Sequence, residues 1–299
     1  MKPRVSVVIT TRNRRQFLAE AVASARLQCA AEVELIVVDD ASSDGSWDWL
    51  AAQADLRAVR LDTNSQLAAA RNAGLAVATS QLVWFLDDDD RLRPRALEAL
   101  AAALQATPAA VAAVGALWRF GDGIDASRMI HPVRASTRRL WPELLAGWSA
   151  VPSQTLWRTE AVRRVGAFRA DLFGLEDRDL WLRLARTGPA CLVPEIVVEY
   201  RIHAGQMPRP PDMPERRERL YADAIASLPA AEQPAARRLR AAGRLWNQAE
   251  RDREAGRPGR ALVGCAAALW KRPMLFSSPL LWPAIGRSIL YSLRDLLRA

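Results

Sequence analysis

The sequence predicts an α/β fold, a mainly parallel central sheet flanked by helices, with a helical C-terminal extension. Two observations carry that expectation. Through the first 120 residues, short β-branched runs alternate with helix-length amphipathic segments, the pattern of a parallel sheet covered on both faces. After a proline cluster (Pro208, Pro210, Pro211, Pro214) the texture changes to Ala-, Arg- and Leu-rich helical sequence. The expected division is therefore a catalytic domain over 1–205 and a helical extension over 206–299. No internal repeat is present.

Each element has a local reason. Val5–Thr10 is a compact apolar run. Behind it, Phe17, Leu18, Ala21, Val22 and Ala25 share one helical face. Glu34–Val38 is a second strand, and the turn-rich Ser42-Ser43-Asp44-Gly45-Ser46 suits the head of a helix over Trp47–Ala54. Ala58–Leu61 reads as strand and Leu67–Ala78 as helix. Leu82–Leu86 is a fourth strand. Pro94 suits the first residue of a helix over Arg95–Gln105, and Val111–Trp118 returns as strand. Farther on, Glu176–Thr187 reads as helix and Ile196–Tyr200 as strand.

In sheets of this kind ligands bind beyond the carboxyl ends of the strands. Here those ends carry Thr10-Thr11-Arg12-Asn13, Asp39-Asp40 and Asp87–Asp90. Four consecutive aspartates after a buried strand repel one another, and a low-dielectric floor sharpens the penalty. Full solvation, raised pKa values or a bound cation are the three remedies. Hard divalent ions such as Mg²⁺ or Mn²⁺ take carboxylate oxygens together with substrate phosphates.

Charge and cysteines narrow the partners. Residues 1–204 hold 25 Lys/Arg against 24 Asp/Glu, whereas 205–299 hold 17 against 9, so nearly all of the net +9 lies in the tail. A neutral body with a basic tail points to an anionic surface or partner and away from nucleic acid. Three scattered cysteines, Cys29, Cys191 and Cys265, offer no zinc pair and read as reduced thiols. With no signal-peptide pattern at the start, the expected location is cytoplasmic, with peripheral contact at the inner face of the plasma membrane. The apolar stretch Pro273–Gly286 is 14 residues long, short of the roughly 20 a spanning helix needs. Beyond it, Ile285, Ile289, Leu293, Leu296 and Leu297 oppose Arg287, Arg294 and Arg298, as an interfacial helix would.

Several of these segments, taken in order, resemble the motifs of the family-2 inverting glycosyltransferases of the GT-A (Rossmann-like) fold, within the nucleotide-diphospho-sugar transferase superfamily. They are Val5–Asn13, Val37–Ser46, Ala70–Gly74 and Phe85–Asp90, then Gly166-Ala167-Phe168 with Glu176–Leu184, and finally Tyr200–His203. The resemblance implies a sugar transferred from a nucleotide-diphospho-sugar to an acceptor hydroxyl, glycan or lipid-linked, in cell-surface polysaccharide or glycoconjugate synthesis. It places Thr10 and Arg12 beside the nucleotide base, with Asp40 on the base edge and Arg71 near the same rim. Asp87 and Asp89 match the ends of the Asp-x-Asp motif, where Asp89 coordinates a divalent cation (Mn or Mg) with Asp87 in support. Asp88 lies near the donor ribose or sugar, and His203 reaches the diphosphate or the metal. Asp177 matches the general base. One departure concerns the base: many members carry an aromatic residue where this chain has Arg12, whose guanidinium also stacks.

Two other classes compete with this reading. A sugar-nucleotide pyrophosphorylase would favour a glycine-rich loop near its start, yet no glycine precedes Gly45. A non-catalytic glycan- or partner-binding relative would lack Asp89 or Asp177, and both are present. Trp181 is expected in the core, His131 is given no role, and the acceptor pocket is sought in Trp141–Arg158.

Overall fold

The computed structural model describes residues 3–29, 32–122, 135–206, 210–271 and Ile289. They fall into two units, one gathering 1–139 with 150–209, the other joining Leu140–Ser149 to the chain from Pro210.

In chain order the first unit runs β1 (Arg4–Thr11), α1 (Arg15–Arg26), β2 (Glu32–Asp39), α2 (Ser46–Ala51), β3 (Arg57–Arg60), α3 (Gln66–Val77), β4 (Leu82–Asp87), β5 (Arg91–Leu92), α4 (Ala96–Ala106), β6 (Ala112–Gly121) and β7 (Ser136–Arg138). Then α5 (Trp141–Leu145) belongs to the second unit. The first unit resumes with a 3₁₀ turn at Pro152–Gln154, β8 (Thr155–Arg158), α6 (Thr159–Arg164), α7 (Glu176–Leu184) and β9 (Ala190–Ile202).

Among the described residues the strands form one sheet ordered β3-β2-β1-β4-β8-β6-β9-β5, with β7 on β9. The first four are parallel neighbours. At β8 the polarity changes, because β8 is antiparallel to both β4 and β6, whereas β6 and β9 are parallel. The sheet is thus mixed but mainly parallel, as expected, with antiparallel pairing at β8, β5 and β7.

Alternation along the strands explains the two layers. Val5, Val7 and Ile9 on β1, with Leu35, Val37, Trp84 and Leu86, join the core beneath Leu18 and Val22 of α1. Val8 and Val38 face the other way, towards α3, where a Cβ at Gly74 would sit 2.3 Å from Val8 Cγ1. Glycine there lets helix and sheet approach.

Local expectations were corrected in several places. Pro94 does not open a helix: Arg95 takes a left-handed φ of 64° and α4 starts at Ala96. The α2 helix stops at Ala51 and α7 at Leu184, each short of its expected end. β9 is far longer than Ile196–Tyr200. Opposite it, β6 has register shifts between Val114 and Leu117, where Leu192 and Ile196 bracket a bulge containing Pro194. Part of the Trp141–Arg158 stretch is core, with Leu156 and Trp157 fully buried in β8.

The second unit consists of α5, α8 (Met213–Ala226), α9 (Gln233–Glu254) and α10 (Pro258–Lys271). Ala236, Leu239, Ala242, Trp246 and Ala249 recur at helical spacing and are buried on α9; Ala261, Cys265 and Ala268 do the same on α10. Arg240 is buried, bonds Glu218 and the Leu145 carbonyl, and lies 3.8 Å over the Tyr221 ring. No described helix is long and apolar enough to cross a membrane. His131, Pro208 and the 273–299 segment, apart from Ile289, lie outside the described residues.

Candidate active site

The acidic run is a turn at the end of β4. Asp87 pairs with Thr10 across β1. The Asp90 N–H then closes onto the Asp87 carbonyl at 3.1 Å, a β-turn that sends the four carboxylates in different directions. Ser153 supports it from below, since its Oγ accepts the Asp87 N–H at 3.0 Å and its carbonyl accepts Trp84 Nε1–H.

Two carboxylates face the head of α1. Asp88 is buried and accepts from Thr11 Oγ1 at 2.7 Å and from Arg14 Nη1 at 3.1 Å. Burial pushes its pKa up to about 7, against the pull of Arg14 and Thr11 and with the added push of Asp89. Asp89 Oδ2 accepts from Arg14 Nη1 at 2.9 Å and meets His203 Nε2 at 3.0 Å. The His203 Nδ1 accepts the Gly205 N–H, so in this arrangement Nε2 carries the proton and donates to Asp89. Phe17 packs edge-on against the imidazole, 4.9 Å between centroids.

The other two point inward and sideways. Asp90 is fully buried and accepts the Arg201 N–H at 2.9 Å; burial, then the charges of Asp87 and Asp89, hold its pKa well above the carboxylate range. Asp87 accepts from Arg71 Nη2 at 2.6 Å. Buried on α3, Arg71 also bonds Glu176 Oε1 at 3.3 Å and lies 5.3 Å over Phe168. Burial works to lower the Arg71 pKa, but the charges of Asp87, Glu176 and Asp177 outweigh it and leave it raised. Burial raises Glu176 in spite of Arg71. Asn72 clasps the Phe168 backbone at both N–H and C=O, tying α3 to the segment that leads into α7.

Asp177 sits in the first turn of α7 with Glu176 and Asp179, where the helix dipole favours negative charge. Its Oδ1 accepts the Arg178 N–H at 2.6 Å. Asp179 is instead structural, bonded to Arg183 one turn on. Trp181 is core, against Trp157.

The expected nucleotide residues share the rim of β1 and β2. Thr10 is buried with its Oγ1 unbonded. Arg12 is exposed, and an Asn64 amide turned to suit its neighbours accepts from Arg12 Nη1 at 2.5 Å and donates to Asp40 at 2.8 Å. Asp40 is more occupied than its sequence suggests: its oxygens accept the Ser65 and Gln66 N–H groups at 2.6 and 3.1 Å. A base-edge bond uses the lone pairs that remain.

Of the three remedies for adjacent aspartates, solvation is not the one used. The turn is relieved by two arginines, Arg14 and Arg71, and by the raised pKa values of Asp88 and Asp90. Thr11, Arg14, Ser153 and Glu176 are functional-looking partners to which sequence reasoning gave no role. Glu176 alone carried a signal, as the neighbour of Asp177. Among the described residues, no three His, Cys, Asp or Glu side chains are grouped to hold a metal by themselves.

Comparison with known proteins identifies the family. The family model described as glycosyl transferase family 2 matches residues 6–170. The putative glycosyltransferase EpsE of Bacillus subtilis is 31% identical over 195 residues, 62% of this chain and 68% of that protein. The putative teichuronic acid biosynthesis glycosyltransferase TuaG of the same organism is 32% identical over 140 residues, 46% of this chain and 56% of TuaG. Among solved structures, S. aureus TarS 1–349 in complex with UDP-GlcNAc superposes with a TM-score of 0.67 at 18% identity, covering 98% of this chain and 89% of that one. That likeness is one of fold, the GT-A arrangement. With more than half its length matched by the family model and the acidic turn standing at the expected strand end, the chain is a glycosyltransferase and belongs to glycosyl transferase family 2.

Proposed function

We propose that the protein transfers a sugar from a nucleotide-diphospho-sugar to an acceptor hydroxyl with inversion, in the assembly of a cell-surface polysaccharide or glycoconjugate. The observation that carries this reading is the division of the acidic turn. Asp88 and Asp89 look towards Arg14 and His203, while Asp87 is joined through Arg71 to Glu176, whose neighbour is Asp177. One turn thereby serves a donor side and an acceptor side. The UDP-GlcNAc bound to TarS supports the donor class, and the teichuronic acid biosynthesis attributed to TuaG supports the pathway type.

The donor set fits a divalent cation. Asp89 Oδ2 and His203 Nε2 are 3.0 Å apart, both partly open to solvent, a hard oxygen and an imidazole. Asp87 keeps one oxygen free of Arg71. So few protein ligands suit an ion that completes its shell with diphosphate oxygens and water. When bound, Mn²⁺ or Mg²⁺ supplies neutralisation of the charge that develops on the leaving diphosphate. The protein's own groups do the rest. Arg12 and Thr10 hold the base beside Asp40, Asp88 bounds the donor's ribose or sugar, and Arg71 keeps Asp87 and Glu176 in register. Asp177, on the acceptor side, accepts the proton of the incoming hydroxyl as the new glycosidic bond forms and the bond to the diphosphate breaks.

The second unit supports a location at the inner face of the cytoplasmic membrane, with a lipid-linked or glycan acceptor. α10 exposes Val263 and Trp270 on one face, near the exposed Arg260 and Lys271, as an interfacial helix does.

The decisive experiment measures nucleotide release from a donor panel with and without acceptor, in the presence of Mn²⁺ or of EDTA. Acceptor-stimulated release of nucleoside diphosphate that EDTA abolishes, and that Asp89→Asn reduces at least ~100-fold, is the expected result. Formation of nucleoside triphosphate and sugar-1-phosphate when pyrophosphate is added to the donor would identify a pyrophosphorylase, and no turnover with any donor a binding relative.

A further inference from the structure

After His203 the chain is fastened at Gly205 by the same two side chains that surround Asp89, while Gln206 holds separately to the His203 and Arg201 carbonyls. Gly205 donates its N–H to His203 Nδ1 at 3.1 Å, and its carbonyl accepts from Arg14 Nη2 at 2.7 Å. His203 Nε2 and Arg14 Nη1 then meet on the same atom, Asp89 Oδ2, at 3.0 and 2.9 Å. Four hydrogen bonds thus close a ring through Asp89, His203, Gly205 and Arg14. The fit at its far end is tight, since even a Cβ on Gly205 would lie 3.2 Å from His203 Nδ1.

A neutral imidazole has one N–H and one lone pair. In the ring the lone pair is on Nδ1, spent on Gly205, and the proton is on Nε2, spent on Asp89. An imidazole that ligates a cation through Nε2 must move its lone pair there, and its proton to Nδ1. The Nδ1–H then faces the Gly205 N–H, two donors opposed, and that bond is lost. The cation also takes Asp89 Oδ2, the acceptor shared by Arg14, so the second fastening of Gly205 loosens with it. No proton is gained or lost, because one tautomer replaces the other.

We propose that Gly205 is a latch released by divalent cation: loading of the Asp89–His203 pair switches His203 from its Nε2–H to its Nδ1–H tautomer and frees the Gly205 backbone, with Arg14 as the competing internal cation. The proposal rests on the metal reading given above for Asp89 and His203. By reciprocity, whatever holds the latch closed weakens cation binding, and whatever weakens the ring strengthens it. Arg14 is a positioning residue here. Its removal leaves Asp88 and Asp89 without their guanidinium and the Gly205 carbonyl without its donor.

The chain has two histidines, His131 and His203, so imidazole ¹⁵N spectra of the full-length protein read the tautomer directly, with a His131→Gln variant for assignment. Titration with Mg²⁺ alone should convert His203 from the Nε2–H to the Nδ1–H pattern, and the Gly205 amide should exchange faster with deuterium in its presence. Calorimetric titration with Mn²⁺ should show Arg14→Met binding the ion about 5–100-fold more tightly than wild type, the span of ordinary coupling energies, with Arg14→Lys in between. Cation binding with an unchanged tautomer and unchanged Gly205 exchange in the wild-type protein would overturn the latch while leaving the metal site standing. So would Mn²⁺ affinity that is unaltered or weakened in a folded Arg14→Met. Absence of Mg²⁺ and Mn²⁺ binding in both wild type and variant, with or without nucleoside diphosphate, would overturn the metal reading itself.

Discussion

Replacing Arg71 with methionine removes one guanidinium from between two carboxylates, and the structure says which loss matters. The Asp87 side chain is 26% exposed and regains water, whereas that of Glu176 is 7% exposed and already has an unbonded Oε2. Glu176 therefore bears most of the cost. At 3.3 Å and an effective dielectric of about 20, the lost attraction is roughly 5 kcal/mol. Breaking a buried pair from one side typically costs about 3–5 kcal/mol. A domain of this size shifts by about 2–4 °C per kcal/mol, so the melting transition of the first unit should fall by roughly 6–20 °C. The pH dependence has a definite sign. A carboxyl whose folded pKa is raised holds its proton more firmly folded than unfolded, so stability falls as pH rises from its ordinary value through the folded one. Burial already raises Glu176 with Arg71 opposing; without Arg71 the rise is greater. Thermal melts followed by circular dichroism should show Arg71→Met losing more stability at pH 8 than at pH 5. Adding Glu176→Gln should restore at least ~1 kcal/mol by removing the uncompensated charge. An Arg71→Met protein within about 1 kcal/mol of wild type, or one more destabilised in acid, would refute the account of the triad.

Asp177→Asn should lower turnover about 10²–10⁴-fold while calorimetry shows donor and Mn²⁺ binding little changed; abolished donor binding with high residual turnover would place the residue on the wrong side. Ser153→Ala leaves the Asp87 N–H without its acceptor and should cost about 1–3 kcal/mol in thermal melts. Val263 and Trp270 are 72% and 89% exposed, so a Val263→Ser/Trp270→Ser protein should melt like wild type. It should also co-sediment less with anionic liposomes at low salt, and undiminished binding would remove α10 from the membrane contact.

The legible parts of the fold were those with short-range causes. β1, β2 and β4 announce themselves because a doubly covered parallel strand is an unbroken apolar run. Other strands did not. β5 is two residues long, too short for any pattern. β9 contains Pro194 and Glu195, which read as an interruption until the bulge opposite Gly115 shows how a strand passes through them. The start of α4 was misplaced because Pro94 suits a helix head locally, while the left-handed Arg95 has no sequence signature. At the site the same line divides success from omission. The carboxylates and His203 stand in recognisable local patterns, and the structure brings Asp87, Asp89 and His203 to one turn. Their counterions are far away in sequence: Arg14 is 74 residues from Asp88, and Arg71 is 105 from Glu176. Nothing in a single sequence pairs them.

The polarity change at β8 has a consequence for how such a protein can diversify. Of the residues proposed for the donor, Thr10 through Asp89 lie before the chain first leaves the parallel strands, and His203 follows β9. Asp177, proposed for the acceptor, and its neighbour Glu176 arrive only after the antiparallel β8. The two portions are joined along a broad seam: β4 pairs with β8, Asn72 clasps Phe168, Arg163 bonds the Leu75 and Ala78 carbonyls, and at the turn Ser153 meets Asp87, Glu176 meets Arg71, Arg201 meets Asp90 and His203 meets Asp89. A chimera cut just after Asp90 must therefore match a strand pairing and a shared core as well as the acidic turn. Change on one side of that seam is constrained by the other.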